Sequence, residues 1–341
     1  MMTFHFRFLL AALKATPQSH PRKIYATFSP LFVSGKGVMR QALLSGQLNL
    51  VCHLLENGYC FSPYSVSHAI EGGNLECLEY VCNHAFTTLM DRIDIHLQEC
   101  AKYGRLDGLK YIQRLSDQPL TDECALAAIR KNHADCLQYI AENISSDEYT
   151  SDWASLAAEL GHIECLRCIA ASPVEFWAAN ACTSAARHGH LDCLIFAHEH
   201  KPSNWSKSTC TAAAENGHLD CLMYAHENGC PWDHSACSSA ARHGHLHTLQ
   251  YLHENGCTWS RLTIVQALKY KQLPCLQYAV SHGCYKSGHD SLCKMAAEAG
   301  ALECLQYLCK QGYLCDYSAL EEAIVAGHED CVEFLRKKGI K

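Results

Sequence analysis

Acidic residues are missing from the start of this chain: the first is Glu56. Residues 1–40 carry Arg7, Lys14, Arg22, Lys23, Lys36 and Arg40 with no opposing charge. The remainder sets 22 basic against 35 acidic side chains, so it is strongly negative although the whole chain carries only −7. So acidic a body repels phosphate backbones, which excludes general nucleic-acid binding outside a local basic strip. Proline is scarce, nine in 341 residues, and this favours helix over turn-rich β structure. No apolar run reaches the roughly 18 residues that a spanning helix needs, so membrane insertion is not expected. The apolar piece FLLAALKA is short and lacks a small-residue cleavage pattern, so it does not read as a secretion signal. Residues 1–38 are expected to be a basic N-terminal extension, disordered or a targeting segment of the mitochondrial kind, with a start at Met39 as the alternative. They show no second domain and no F-box-like segment. The expected location is intracellular, in the cytoplasm.

Cysteine is abundant instead, 23 residues. In a short secreted chain that would suggest a disulfide framework, but this chain is long and lacks a clean signal peptide. The stretch AAAENGHLDCLMYAHENGCPW, Ala212 to Trp232, shows what the cysteines belong to. Taking Gly217 as an anchor, equivalent positions fall at 46, 73, 104, 132, 161, 189, 217, 244, 271, 300 and 327. Nine are Gly, and the exceptions are Asn132 and Lys271. The period is near 28, and eleven repeats cover residues 39–341.

The repeat has a physical explanation. Alanine stands four residues before the anchor in ten of eleven copies and is often doubled, as in Ala185-Ala186 and Ala213-Ala214. Small, helix-favouring residues let neighbouring backbones approach closely. Glycine then supplies the positive φ that ends a helix. Apolar residues follow at anchor +2, +5 and +8, one face of a second helix, and +5 is Leu or Val in every copy. Such a helix pair cannot bury its apolar face alone, so the repeats must stack.

The segment STCTAAAENGHLDCLMYAHENGC, Ser208 to Cys230, resembles an ankyrin repeat. Ala213-Ala214, Gly217-His218-Leu219, Leu222 and Asn228-Gly229 fall on the matching positions. The Cys-, His- and Trp-rich wording HENGCPWD is similar to ankyrin arrays of large DNA viruses of amoebae and of protists. The resemblance implies an all-α, ankyrin-type α-solenoid of about eleven helix-turn-helix repeats. The period falls short of the usual ankyrin length of about 33, and the missing residues lie in the connector. The β-hairpin fingers are therefore expected to be short or absent.

Cysteine at anchor +4 recurs in eight repeats and reads as a small buried hydrophobe. A second ladder at −7 (Cys182, Cys210, Cys237, Cys293) reads the same way. The alternative is a zinc-binding Cys/His array built from His190-Cys193, His218-Cys221 and their equivalents, but the spacing is His-x-x-Cys rather than that of a zinc knuckle. Nucleophilic catalysis needs one cysteine set apart beside a positioned base, whereas these pairs form a lattice. No enzyme activity, metal or cofactor is therefore expected. Trp177, Trp205, Trp232 and Trp259, each twelve residues before an anchor, and Tyr or Phe at +7 read as packing between repeats.

In a repeat protein the constant positions build the scaffold and the varying ones recognise a partner. The two residues before each anchor vary: they include Lys102, Tyr103, Arg130, Lys131, Arg187, His188, Arg242, His243, Lys269 and Tyr270. Arg and Tyr are enriched at interface hot spots, so this strip is the expected docking site for a protein partner with an acidic segment. No small-molecule substrate is expected. At the C-terminal end, CVEFLRKKGIK provides the polar face that a terminal repeat needs.

Overall fold

The structure, a computed structural model, describes residues 35–85, 90–116, 118–144, 152–172, 180–200, 205–284 and 292–340. Every element in them is a short helix. The helices come in pairs, one pair for each of the eleven anchors. The pairs are α1 (Gly35–Leu44) and α2 (Leu48–Glu56), α3 (Ser65–Gly72) and α4 (Leu75–His84), α5 (Ile93–Lys102) and α6 (Leu106–Ser116). They continue with α7 (Asp122–Arg130) and α8 (Ala134–Asn143), α9 (Trp153–Glu159) and α10 (Ile163–Ala171), α11 (Ala181–His188) and α12 (Leu191–His200). Next come α13 (Lys207–Asn216) and α14 (Leu219–Glu227), α15 (His234–His243) and α16 (Leu246–Glu254), α17 (Arg261–Lys269) and α18 (Leu273–Ser281). The last are α19 (Leu292–Glu298) and α20 (Leu302–Lys310), then α21 (Tyr317–Val325) and α22 (Glu329–Lys337). Pairs are numbered below as repeats 1 to 11. Among the described residues there is no strand, only an isolated bridge between Leu120 and Ile144. An all-helical ankyrin-type solenoid, with no β-hairpin finger among the described residues, is what the short period predicts.

The chain divides into two compact units, residues 1–119 and 120–341. The first holds repeats 1–3, with α1 on α3, α3 on α5 and α4 on α6. The second holds repeats 4–11, with odd-numbered helices stacked in one layer and even-numbered helices in the other. Most of the N-terminal extension lies outside the described residues.

None of these helices exceeds eleven residues, and isolated helices below about 12–15 are marginal in water. Packing must hold them. The paired alanines of the first helices (Ala185, Ala186, Ala213, Ala214, Ala240, Ala241) are fully buried between neighbours. On the second helices Cys221, Leu222 and Ala225 form the buried face, repeated as Cys275, Leu276 and Ala279. The +4 cysteine is thus a core residue, as the sequence suggests.

In repeats 7 to 11 both helices end in the same way. The residue after the anchor donates its N–H to the carbonyl five residues back: His190 to Ala185, His218 to Ala213 and His245 to Ala240 at 2.9–3.0 Å. This is the bond pattern of a Schellman cap, and it requires a left-handed residue between. Gly189, Gly217 and Gly244 supply it with φ of 73–78°. Where the anchor is not glycine, the backbone is unchanged: Asn132 has φ 58° and Lys271 has φ 60°. The second turn repeats the pattern, with Cys230 donating to Ala225 and Cys257 to Leu252. The connectors then stack through sulfur. Cys230 Sγ donates to the Ser206 carbonyl, Cys257 to Asp233 and Cys284 to Ser260, at 3.3–3.4 Å. These thiols tie successive connectors where longer repeats would have hairpins.

The end at α21 and α22 is only partly polar. Arg336, Lys337 and Lys338 are exposed on α22. Beside them, α21 and its connector leave Leu314, Tyr317, Ile324 and Val325 between 50 and 78% exposed.

Candidate partner-binding surface

The residue after the anchor does more than cap its own repeat. Its side chain lies across the anchor glycine of the preceding repeat. A Cβ built on Gly161 would sit 2.6 Å from His190 Nδ1, one on Gly189 2.5 Å from His218 Nδ1, and one on Gly217 2.5 Å from His245 Nδ1. The imidazole then serves the carbonyls left open at the preceding first helix. His162 donates from Nδ1 to the Ile129 carbonyl at 2.6 Å, and His328 from Nε2 to Glu298 at 3.1 Å. Arg105 makes the same reach in the first unit, from Nε to Ile70 and from a guanidinium NH₂ to Glu71. Glycine thus suits the anchor twice over, for its dihedral and for the room it leaves, although His162 makes the same reach beside Asn132.

All ten predicted binding residues lie at the C-terminal ends of first helices, beside this staple. Lys102 closes α5 with Tyr103 as its cap, Arg130 closes α7 with Lys131, and Lys269 closes α17 with Tyr270. Arg187 and His188 end α11, and Arg242 and His243 end α15. All are exposed except Tyr103, which is half-buried. Lys102 and Tyr103 belong to the first compact unit and the other eight to the second. Cations here complement the helix dipole. Several are engaged within the fold: Arg187 faces Glu215 of the next repeat at 3.8 Å, Arg242 lies over the Tyr270 ring at 4.6 Å, and Lys102 lies over Tyr103 at 5.1 Å. His188 and His243 donate to their own helix, to Ser184 and Ser239. Arg130, Lys131 and Lys269 are exposed with no acidic partner among the described residues.

The aromatic ladder packs repeats together, with a partner that the sequence reading passed over: a histidine at anchor +9. His226 stacks on Trp232 at 3.7 Å and hydrogen-bonds through Nδ1 to the Tyr251 hydroxyl at 3.0 Å. His253 repeats this with Trp259 and Tyr278 at 3.8 and 2.8 Å, and His198 with Trp205 and Tyr224 at 4.3 and 3.0 Å. Each triad joins the end of one repeat to the second helix of the next. Trp177 and Tyr149 lie outside the described residues.

Burial lowers the imidazole pKa of His198 and of His253 from the ordinary 6.5, with His282 adding to the latter. Burial shifts His68 and His218 the same way. Below about pH 6.5 the unfolded chain takes up protons that these folded imidazoles do not. Their contribution is therefore intact above that value and is lost as pH falls through the lowered folded pKa. The melting temperature is expected to drop between pH 7.5 and 5.5, by about 2–4 °C for each kcal/mol lost. His253→Gln should shrink that drop in thermal melts; an identical pH slope in the variant would sink the assignment.

The cysteines are arranged as core, not as ligands. Burial pushes the thiols of Cys193, Cys221 and Cys275 up to about 11 and that of Cys165 up to about 12. The shared hydrogen bond with Cys230, then burial, pushes the Cys210 thiol up as well. Such thiols react slowly and bind metal poorly at neutral pH. The His-x-x-Cys pairs do not converge, because Cys193 and Cys221 point into the core while His190 and His218 lie over the turn. The chain's one Cys-x-x-Cys, Cys165 and Cys168 on α10, is likewise spent within the fold: Cys165 donates to Asn132 Oδ1 and Cys168 to the Ala134 carbonyl. Among the described residues one group of three metal-type side chains converges, Cys293, Cys309 and Cys315, two of them joined as a disulfide. The zinc-array reading finds no support in this geometry. No helix among the described residues is long and apolar enough to cross a membrane.

Family models agree with the architecture over part of the chain. Residues 264–341 match ankyrin repeats in three copies, and residues 210–253 match ankyrin repeats in many copies. These are repeats 9–11 and 7–8. Ankyrin repeats generally mediate protein–protein interaction. Among solved structures, the human ASB11 ankyrin repeat domain is similar at 16% identity and TM-score 0.37, covering 62% of this chain and 96% of that one. No curated protein matches.

Proposed function

We propose that residues 39–341 form a non-catalytic scaffold that binds a protein partner carrying an acidic segment, through the exposed first-helix ends. The observation that carries this reading is the recurrence, within each compact unit, of varying residues rich in Arg, Lys, His and Tyr at first-helix ends of an acidic chain. Arg130, Lys131 and Lys269 offer unanswered charge, and Arg242 with Tyr270 offers a preorganised cation–π pair of the kind that anchors interfaces. The burial of Cys165, Cys193, Cys221 and Cys275, which pushes their thiols up, supports a role without catalysis.

The test is a partner captured by the wild-type chain and then titrated against the triple variant Arg187→Ala, Arg242→Ala, Lys269→Ala. Affinity is expected to fall by about tenfold or more, and wild-type binding to weaken with salt. Unchanged affinity in the triple variant would end the proposal for this surface.

A further inference from the structure

Cys309, near the end of α20, is bonded to Cys315 in the connector before α21. Register shows what this bond replaces. Setting CKQGYLC beside HENGCPW, Cys309 stands where repeats 7 and 8 have His226 and His253, and Cys315 stands where they have Trp232 and Trp259. A covalent bond thus occupies the place of the stacked His–Trp pair. A third sulfur adjoins it. Cys293, fully buried on α19, holds the position of Cys210 and Cys237, and its Sγ lies 2.9 Å from Cys315 Sγ. All three sulfurs lie within 4.8 Å of one another. In repeats 7 and 8 the equivalent thiols face free cysteines of the connector, Cys230 and Cys257. Among the described residues, repeat 10 is where a free thiol meets a half-cystine, which is the encounter that thiol–disulfide exchange requires.

We propose that Cys293, Cys309 and Cys315 form a three-sulfur exchange site in which the disulfide moves between Cys309–Cys315 and Cys293–Cys315. Cys293 Sγ gives up its proton and attacks Cys315 Sγ. The bond to Cys309 breaks, its electron pair leaves on Cys309 Sγ, and that sulfur takes up the proton. One sulfur–sulfur bond forms and one breaks, so no oxidant or reductant is consumed. The exchange moves the free thiol from a fully buried position to half-buried Cys309 and moves the anchorage of the connector from α20 to α19. Burial, then the Asp316 carboxylate, pushes the Cys293 thiol up to about 12, and Tyr313 lies in the same field. The resident linkage therefore changes slowly at neutral pH.

Trypsin cuts after Lys294 and Lys310 place the three sulfurs on separate peptides. Full-length protein is equilibrated in a glutathione redox buffer, acid-quenched, alkylated and mapped without reduction. Wild type should yield Cys309–Cys315 together with a Cys293–Cys315 species. Cys309→Ser should close Cys293–Cys315, and Cys293→Ala should keep Cys309–Cys315 alone. Alanine is a tolerated choice, since repeats 4 and 5 carry Ala125 and Ala154 at this position. A Cys309→Ser protein that stays glutathione-capped at Cys315, with Cys293 free, would overturn the proposal. So would reduced wild-type protein that holds one zinc ion per chain against a chelator and loses it in Cys293→Ala.

Discussion

Trp153→Ala is expected to lower the unfolding free energy by about 3–5 kcal/mol, the range for emptying a large aromatic site. Trp153 is the largest fully buried side chain among the described residues. It opens α9, between α7 and α11, and its indole N–H donates to the Asp122 carboxylate at the start of α7. Other repeats carry small residues at this register, such as Ala181, Thr209 and Ala236. The neighbours have thus closed around one indole, and short helices held by packing have little else to fall back on. Trp153→Phe keeps most of the ring but loses the donor, and should cost a smaller share. Urea unfolding followed by circular dichroism reads both. A loss under about 1 kcal/mol for Trp153→Ala would mean that the site collapses freely and that packing at α9 is not what holds repeats 4–6.

The second expectation separates the two glycine positions of a repeat. Gly189 and Gly229 have nearly the same dihedral, φ 76° and 82°. Nothing lies within 4 Å of a Cβ on Gly229, whereas one on Gly189 would strike His218 Nδ1 at 2.5 Å. Gly229→Ala should therefore cost only the left-handed strain, about 1 kcal/mol. Gly189→Ala adds the displacement of the His218 ring from the turn, bringing the cost to about 2–4 kcal/mol. Combining Gly189→Ala with His218→Ala should recover part of that loss, so the double-mutant cycle should show coupling above about 0.5 kcal/mol. Equal costs for the two glycine variants would remove steric crowding as the reason for the Gly-His pair.

Much of the fold was legible because it is periodic. The anchor, the alanine pair and the +5 Leu or Val are set by constraints that recur every repeat, and even Asn132 and Lys271 betray their positive φ by register alone. What escaped the sequence reading lies between registers. The tryptophans and the +7 tyrosines were visible as separate ladders. Their meeting with His198, His226 and His253 joins positions about 25 residues apart, which no single repeat displays. Trp153 departs from the pattern, so periodicity could not foresee its burial. The Cys309–Cys315 bond was hidden for the opposite reason, as it occupies a regular position with different residues. For the binding strip, exposure at helix ends followed from the pattern. The engagement of Arg187 by Glu215 and of Arg242 by Tyr270 depended on which neighbour each side chain meets.

The reach of each imidazole onto the preceding repeat gives the array a direction. Within each compact unit, first-helix ends are covered by a side chain of the repeat that follows. Emerging from a ribosome, such a chain always carries its newest helix end unsealed until about another 28 residues arrive. Repeats already sealed can fold behind it, so maturation proceeds in order from the N-terminal side, with one raw edge moving ahead of it.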